Sequence, residues 1–349
     1  MAGNEVSLDR YGTVAIIGTC KNAGKTTVLN HLISKAYIGS KKKLGLTSIG
    51  RDGERIDLIF RNEKPGIFVP GGTLLATARS CLMASDVTSE ILSMTSISTS
   101  LGEVVIARAL SAGYVELGGP SIRDEMTGAL LLLRNFGADL VLIDGTIDRR
   151  TTASPSLADA VILSTSAALS LDPDVIVERT LAMLNLLRIE KLADRDADIK
   201  ARGIVADSRA GLIDKNGNVV KADFALSMTA TPLLSARMDA GTQYVVLGGA
   251  VTDRPVMDIL AAVPRGAKVT LVVEDGTKLF ISDATMHAMG KSGVRLRALD
   301  PINVVAMTVN PLSPAGERVD SSYVASRLQG LSGLPVADVM GGRDDIFRF

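Results

Sequence analysis

The sequence predicts an α/β fold with a mostly parallel sheet, followed by a smaller second α/β domain. Three observations lead there. Short apolar runs of strand length alternate with segments of helical periodicity along most of the 349 residues, the pattern of strands joined by crossover helices. The run at 14–17 feeds a glycine-rich stretch, Gly18-Thr-Cys-Lys-Asn-Ala-Gly-Lys-Thr-Thr27, which opens a helical pattern at Val28, Leu29, Leu32, Ile33 and Ala36. A second apolar run, 138–143, ends in a carboxylate, Asp144. The length accommodates two buried cores, and the expected division is 1–240 and 241–349.

Strand, glycine-rich loop and helix, in that order, are the context a phosphate-binding loop requires. Gly18 and Gly24 let the backbone turn with its N–H groups inward, a nest for anionic oxygens. The helix that follows adds the positive end of its dipole. Lys25 is placed to reach terminal phosphates as a point charge, and the Thr26 hydroxyl to bind Mg²⁺. Thr19, Lys21, Asn22, Ala23 and Thr27 complete the expected nucleotide contacts. Asp144 ends its strand as a Walker B carboxylate does, near the metal. Lys25 and Asp144 are the candidate catalytic pair, with ATP or GTP and Mg²⁺ as the expected cofactors.

The remaining elements follow in order. Residues 44–49 read as a second buried strand ending in the polar cluster 50–54. A short strand is expected at 66–69, a helix at 73–84, and strands at 91–94, 103–107 and 114–117. Ser121, with Asp124 and Glu125 behind it, is the expected cap of a helix over 122–135. Glu116 reads as a strand-end charge or a residue facing the nucleotide; Asp148-Arg149-Arg150 reads as a solvated loop or a charge clamp for a phosphoryl group. A strand at 160–163 precedes a helix opened by Asp172-Pro173. Residues 189–201 are charge-rich, and 202–207 read as a strand. Asn216-Gly217 turns a hairpin. Beyond 240, strands at 244–247, 269–273, 294–296 and 304–309 alternate with helices at 256–262, 283–289 and 321–331, a Rossmann-like series. The Asn310–Gly316 cluster reads as a turn.

Composition narrows the function classes. Lys+Arg and Asp+Glu both total 38, so no net field attracts nucleic acid or an anionic membrane. Aromatics are 3% with no Trp, which leaves little for base stacking. No apolar run is long enough to span a bilayer. Two Cys, Cys20 and Cys81, and no secretory pattern give a cytoplasmic expectation. With two Cys and two His, a structural zinc site is not expected.

The long form of the 18–27 loop resembles that of dethiobiotin synthetase, and its inner letters, Lys21-Asn22-Ala23-Gly24-Lys25-Thr26-Thr27, resemble the molybdopterin-guanine-dinucleotide accessory NTPases. Both belong to the P-loop branch that includes MinD and the metallochaperone GTPases. The resemblance implies a P-loop NTPase fold for 1–240, Asp52 as a second metal contact, and Asp207 at the position where dethiobiotin synthetase presents an Asn to the base. A carboxylate there suits guanine N–H donors, whereas an Asn suits adenine, so the base stays open. Three segments, Gly45–Glu54, Asp144–Arg150 and the loop, look like the P-loop subunit of lysine 5,6-aminomutase reactivases. That likeness implies an NTPase that restores a cobalamin-dependent aminomutase of lysine fermentation, with the mutase as client, a second reactivase subunit as partner, and a homodimer as a further expectation. Two alternatives stand beside it: an ATP-dependent ligase or kinase of the dethiobiotin synthetase type, and a nucleotide-binding regulator with little turnover.

Overall fold

A computed structural model describes residues 5–40, 42–52, 66–145, 150–207, 210–222, 227–338, 340 and 346–349. The longer strands, in chain order, are β1 (Thr13–Gly18), β2 (Leu44–Ser48), β3 (Leu74–Ala78), β4 (Ser89–Thr99), β5 (Gly102–Ala109), β6 (Leu140–Asp144) and β7 (Ala160–Ser166). They continue with β8 (Ala210–Asp214), β9 (Val219–Lys221), β10 (Thr242–Leu247), β11 (Thr270–Val273), β12 (Arg295–Ala298), β13 (Val304–Asn310) and β14 (Val336–Asp338). The helices are α1 (Lys25–Gly39), α2 (Arg79–Met83), α3 (Arg123–Asn135), α4 (Pro173–Leu187), α5 (Arg195–Asp207), α6 (Ser227–Ser235), α7 (Asp253–Ala262), α8 (Asp283–Ser292) and α9 (Ser321–Ser332).

The α/β expectation holds: the sheets are mixed, and the large one is mostly parallel. The chain divides into unit 1, Met1–Leu184 with Asn303–Phe349, and unit 2, Asn185–Ile302. This differs from the expected break at 240. The reason is pairing: β13 adds to β7 of the first sheet, so the chain after Ile302 belongs to unit 1.

Unit 1 carries a nine-stranded sheet in the order β14-β13-β7-β1-β6-β2-β3-β5-β4. The strands from β14 to β3 are parallel, and β5 is antiparallel to both its neighbours. Central strands buried on both faces read as continuous apolar runs, and every residue of β1 and β6 is buried. The predicted apolar stripe of α1, Val28, Leu29, Leu32, Ile33 and Ala36, packs with Val14, Ile16, Leu46, Leu142 and Ile162 of the sheet. Each of the Val, Leu and Ile side chains contributes about 1.5–3 kcal/mol by leaving water.

Two expectations within unit 1 are corrected. The 73–84 segment is β3 followed by the short α2, because 74–78 pairs with both β2 and β5. Tertiary pairing there overrides the helix-forming composition. In the helix over 123–135 the N-cap position is Ile122, with no side-chain cap; Ser121 does not hold the expected place, while Asp124 and Glu125 do stand in the first turn.

In unit 2 the sheet order is β9-β8-β10-β11-β12. β8 and β9 form the hairpin over Gly217, whose φ is +79°. β10, β11 and β12 are parallel, joined through α7 and α8. The strand expected at 202–207 is instead the end of α5. Ala197, Ala201 and Ile204 recur at helical spacing and pack with Ile213, Tyr244, Val246 and Val272. Arg202 clamps the helix at its outer side, hydrogen-bonding Asp300 at 2.8 Å and Asp198 at 2.9 Å.

Asp194 starts α5: its carboxylate accepts from the Ala197 N–H at 3.0 Å and from the Tyr244 hydroxyl at 2.9 Å. The Ala197 N–H first, and then Tyr244, lower its pKa. Burial first, and then Asp194, push the Tyr244 hydroxyl up to about 12. A carboxylate depressed in the folded state stabilises above its unfolded pKa, about 3.9, and loses that contribution as pH falls through the folded value. Asp194→Ala is therefore expected to cost about 1 kcal/mol at neutral pH, the scale of a lost helix cap. Urea unfolding from pH 7 down to pH 3 should show the difference from wild type shrinking on the acid side; a pH-independent difference would mean that packing alone had been lost.

Candidate functional site

Five parallel strands, β2, β6, β1, β7 and β13, end at one edge of the large sheet. Their last residues are Ser48, Asp144, Gly18, Ser166 and Asn310. Register ties them together: Asp144 stands opposite Ile16 and Ser48, Ser164 opposite Gly18, and Ser166 opposite Asn310. In open α/β sheets this carboxyl-terminal edge is where ligands sit.

The 18–27 loop leaves β1 at this edge. A Cβ on Gly18 would lie 2.9 Å from the Ala23 Cβ, so the loop folds back over its own first residue. Asn22 adopts φ +61° and Gly24 φ +86°. Gly24 is the N-cap of α1, and no side chain caps that helix or places a carboxylate in its first turn. A Cβ on Gly24 would also lie 2.8 Å from the Asn310 Cβ. Left-handed backbone and close approach together restrict the position to glycine. Lys25, Thr26 and Thr27 are half-buried at the start of the helix. Among the described residues Lys25 makes no ion pair.

Hydroxyls of β7 hold the loop from below. The Thr19 N–H donates to the Ser164 carbonyl at 2.9 Å, and the Thr19 hydroxyl to Thr165 Oγ1 at 3.0 Å. Thr180 of α4 donates to the same Thr165 oxygen at 2.8 Å. Ser166 donates to the Asn22 carbonyl at 3.1 Å, and Cys20 Sγ lies 3.6 Å from Ser166 Oγ. Thr308 of β13 donates to Ser164 Oγ at 2.8 Å. Thr165, Ser166, Ser164 and Thr180 are all buried.

Asp144 is fully buried at the end of β6, the strand directly beside β1. The Gly145 N–H donates to the Ile16 carbonyl at 2.9 Å, and a Cβ on Gly145 would meet that oxygen at 2.7 Å. The glycine thus lets the chain leave β6 against β1 without displacing either strand. Asp52 lies in a short strand, Gly50–Asp52, which pairs antiparallel with Leu117–Gly119; Asp52 stands opposite Leu117. The Glu116 N–H is held by Ser85 Oγ at 3.0 Å. Asp148 and Arg149 lie outside the described residues, and Arg150 begins a single turn, Arg150–Ala153. Among the described residues no group of three or more His, Cys, Asp and Glu is gathered to hold a metal unaided. No helix among the described residues is long and apolar enough to cross a membrane.

Asp207 does not take the place its sequence alignment implied. It is the last residue of α5 in unit 2, exposed and ion-paired with Lys221. The residue that sequence reading passed over is Asn310. It ends β13, two strands from β1, and lies against Gly24. The signal was present: 304–309 is an apolar run that ends in Asn and is stopped by Pro311. Its Oδ1 accepts from the Leu312 N–H at 3.1 Å, an Asx-type turn that leaves the amide NH₂ to other partners.

Comparison with protein-family models, with curated proteins and with solved structures finds no match to this chain. The class of site is therefore defined by its geometry: a glycine-rich loop with left-handed turns, an uncapped helix start and a buried carboxylate on the adjacent strand.

Thr165→Val tests the anchoring of the loop. It removes the acceptor shared by Thr19 and Thr180, leaving the buried Thr180 hydroxyl without it. Chemical denaturation should show a loss of about 1–3 kcal/mol, the penalty for a stranded buried polar group. A loss within experimental error would show that Thr165 is not the keystone of that cluster.

Proposed function

We propose that the chain binds a magnesium nucleoside triphosphate on the 18–27 loop and hydrolyses it. On this reading unit 1 is a P-loop NTPase fold with unit 2 inserted before its last strands. One observation carries the proposal: a glycine-rich loop turned by Gly24 at φ +86° into an uncapped α1, beside the buried Asp144 of the neighbouring strand. The open N–H groups and the dipole of α1 favour phosphate oxygens. Lys25 adds the mobile positive charge, and no neighbouring carboxylate of the first turn competes for it. Mg²⁺ would be held by the Thr26 hydroxyl and by Asp144, directly or through water, and would neutralise charge building on the phosphoryl oxygens.

Asn310 takes over the base-reading role first expected of Asp207. Its amide NH₂ can donate to adenine N7, and Oδ1, which accepts from the Leu312 N–H, keeps a second lone pair for N6. ATP is accordingly favoured over GTP. The three segments that resemble the reactivase subunit support a protein client, a cobalamin-dependent aminomutase whose damaged cofactor needs an energy-driven exchange. An inserted unit of this size, Asn185–Ile302, is more consistent with a protein partner than with a small substrate.

Lys25→Ala should abolish triphosphate binding in equilibrium titrations with a fluorescent ATP analogue while changing fold stability by less than about 1 kcal/mol. Wild-type binding and turnover in that variant would reject the assignment. Asp144→Asn should lower Mg²⁺-dependent phosphate release far more than it lowers nucleotide affinity. For the base, competition of ATP with GTP should shift by about 1–3 kcal/mol in Asn310→Asp, the scale of a charged hydrogen bond, and stay unchanged in Asp207→Asn. The reverse pattern would return the role to Asp207.

A further inference from the structure

Unit 2 has a surface cleft of about 550 Å³ beyond the C-terminal ends of α7 and α8, where β11 and β12 begin. Its floor is the end of the unit's own core: Val294 is buried, and Leu260, Val263 and Ala267 are half-buried against that core. Its rim is cationic. Arg265, Lys268 and Arg295 line it, and no carboxylate does. All three are exposed, and no ion pair is shown for them among the described residues.

The helix ends do not account for this charge. Each C-terminus carries about half a negative unit, so two of them offset about one of the three cations. About two positive units remain without a counter-charge, in a chain whose acidic and basic residues balance at 38 each. The rim therefore presents a positive field to which carboxylates of a partner are complementary.

The volume alone would suit a small ligand, since such pockets span about 300–1,000 Å³. But the rim is exposed, and small-ligand pockets enclose most of their occupant. The cleft also lacks any aromatic side chain on which a base could stack. A strip of apolar floor under a cationic rim instead matches an extended chain segment that alternates acidic and apolar residues.

We propose that this cleft docks an acidic segment of a partner protein, its carboxylates on Arg265, Lys268 and Arg295 and an apolar side chain on Val263 and Val294. The inference goes beyond the nucleotide reading and does not depend on it: the cleft lies wholly within unit 2.

The test uses the full chain and a fluorescein-labelled peptide of alternating Glu and Leu, read by anisotropy at low salt, where Coulombic attraction is least screened. The peptide should bind wild type, and its Gln-for-Glu counterpart should not. Affinity should fall at least about tenfold in the Arg265→Glu, Lys268→Glu, Arg295→Glu triple variant. The milder triple change to Gln should weaken it in the same direction, which separates lost charge from misfolding. Bound peptide should also protect Lys268 of wild type from acetylation. Equal binding to the triple variant would overturn the proposal. So would displacement of the peptide by millimolar inorganic phosphate, which would make this a small-anion site, or preferential binding of a single-stranded oligonucleotide.

Discussion

The close approach of Gly24 to Asn310 is the constraint on which the rest of unit 1 depends. A Cβ on Gly24 would sit 2.8 Å from the Asn310 Cβ, so the start of α1 and the end of β13 are fixed against each other. For Asn310 to reach that place, β13 must lie beside β7. For β7 to receive it, the hydroxyl of Ser164 must meet Thr308, as it does at 2.8 Å. The same strand, through Ser164, Thr165 and Ser166, then holds the loop from beneath. The chain therefore has to return from unit 2 before the first sheet is complete. Unit 2 is an insertion because of where β13 pairs.

How much of this was legible in the sequence follows from where each signal resides. The 18–27 loop and Asp144 are read locally: glycine spacing, a preceding apolar run and a following helical stripe lie within a few turns of chain. The stripe of α1 was read residue for residue. The 73–84 segment was misread because Leu, Ala, Arg and Met favour a helix, and only pairing of 74–78 with β2 and β5 makes it a strand. The 202–207 segment failed in the opposite sense. Gly-Ile-Val-Ala looks like a short strand, yet Ala197, Ala201 and Ile204 present one helical face to the core, and Asp194 caps the helix upstream. That strand reading is what aligned Asp207 with the Asn of dethiobiotin synthetase, an alignment the helix removes. The domain boundary failed for a related reason. A run such as 304–309 looks the same whether it pairs with β12 or with β7, and the partner strand is not written in the run itself.

Each of the two segments that cross the unit boundary makes its contacts within the unit it runs through. α4 crosses from unit 1 into unit 2 between Leu184 and Asn185, and the chain re-enters at Asn303 to form β13. In unit 1, Thr180 of α4 shares the Thr165 oxygen with Thr19 of the loop. In unit 2, the last turn of α4 is packed so tightly that a Cβ on Gly276 would lie 2.2 Å from the Leu186 carbonyl oxygen, and Leu186 itself belongs to that unit's core. Thr180 of α4 and Thr19 of the loop thus meet on one β7 oxygen, and β13 ends against Gly24. A hydrogen bond of this kind contributes about 0.5–1.5 kcal/mol net. The two hydrogen bonds on Thr165 therefore contribute about 1–3 kcal/mol together to holding the loop and α4 on β7. Within unit 1 the loop is positioned by its hydrogen bonds to β7 and by the close approach of Gly24 to Asn310.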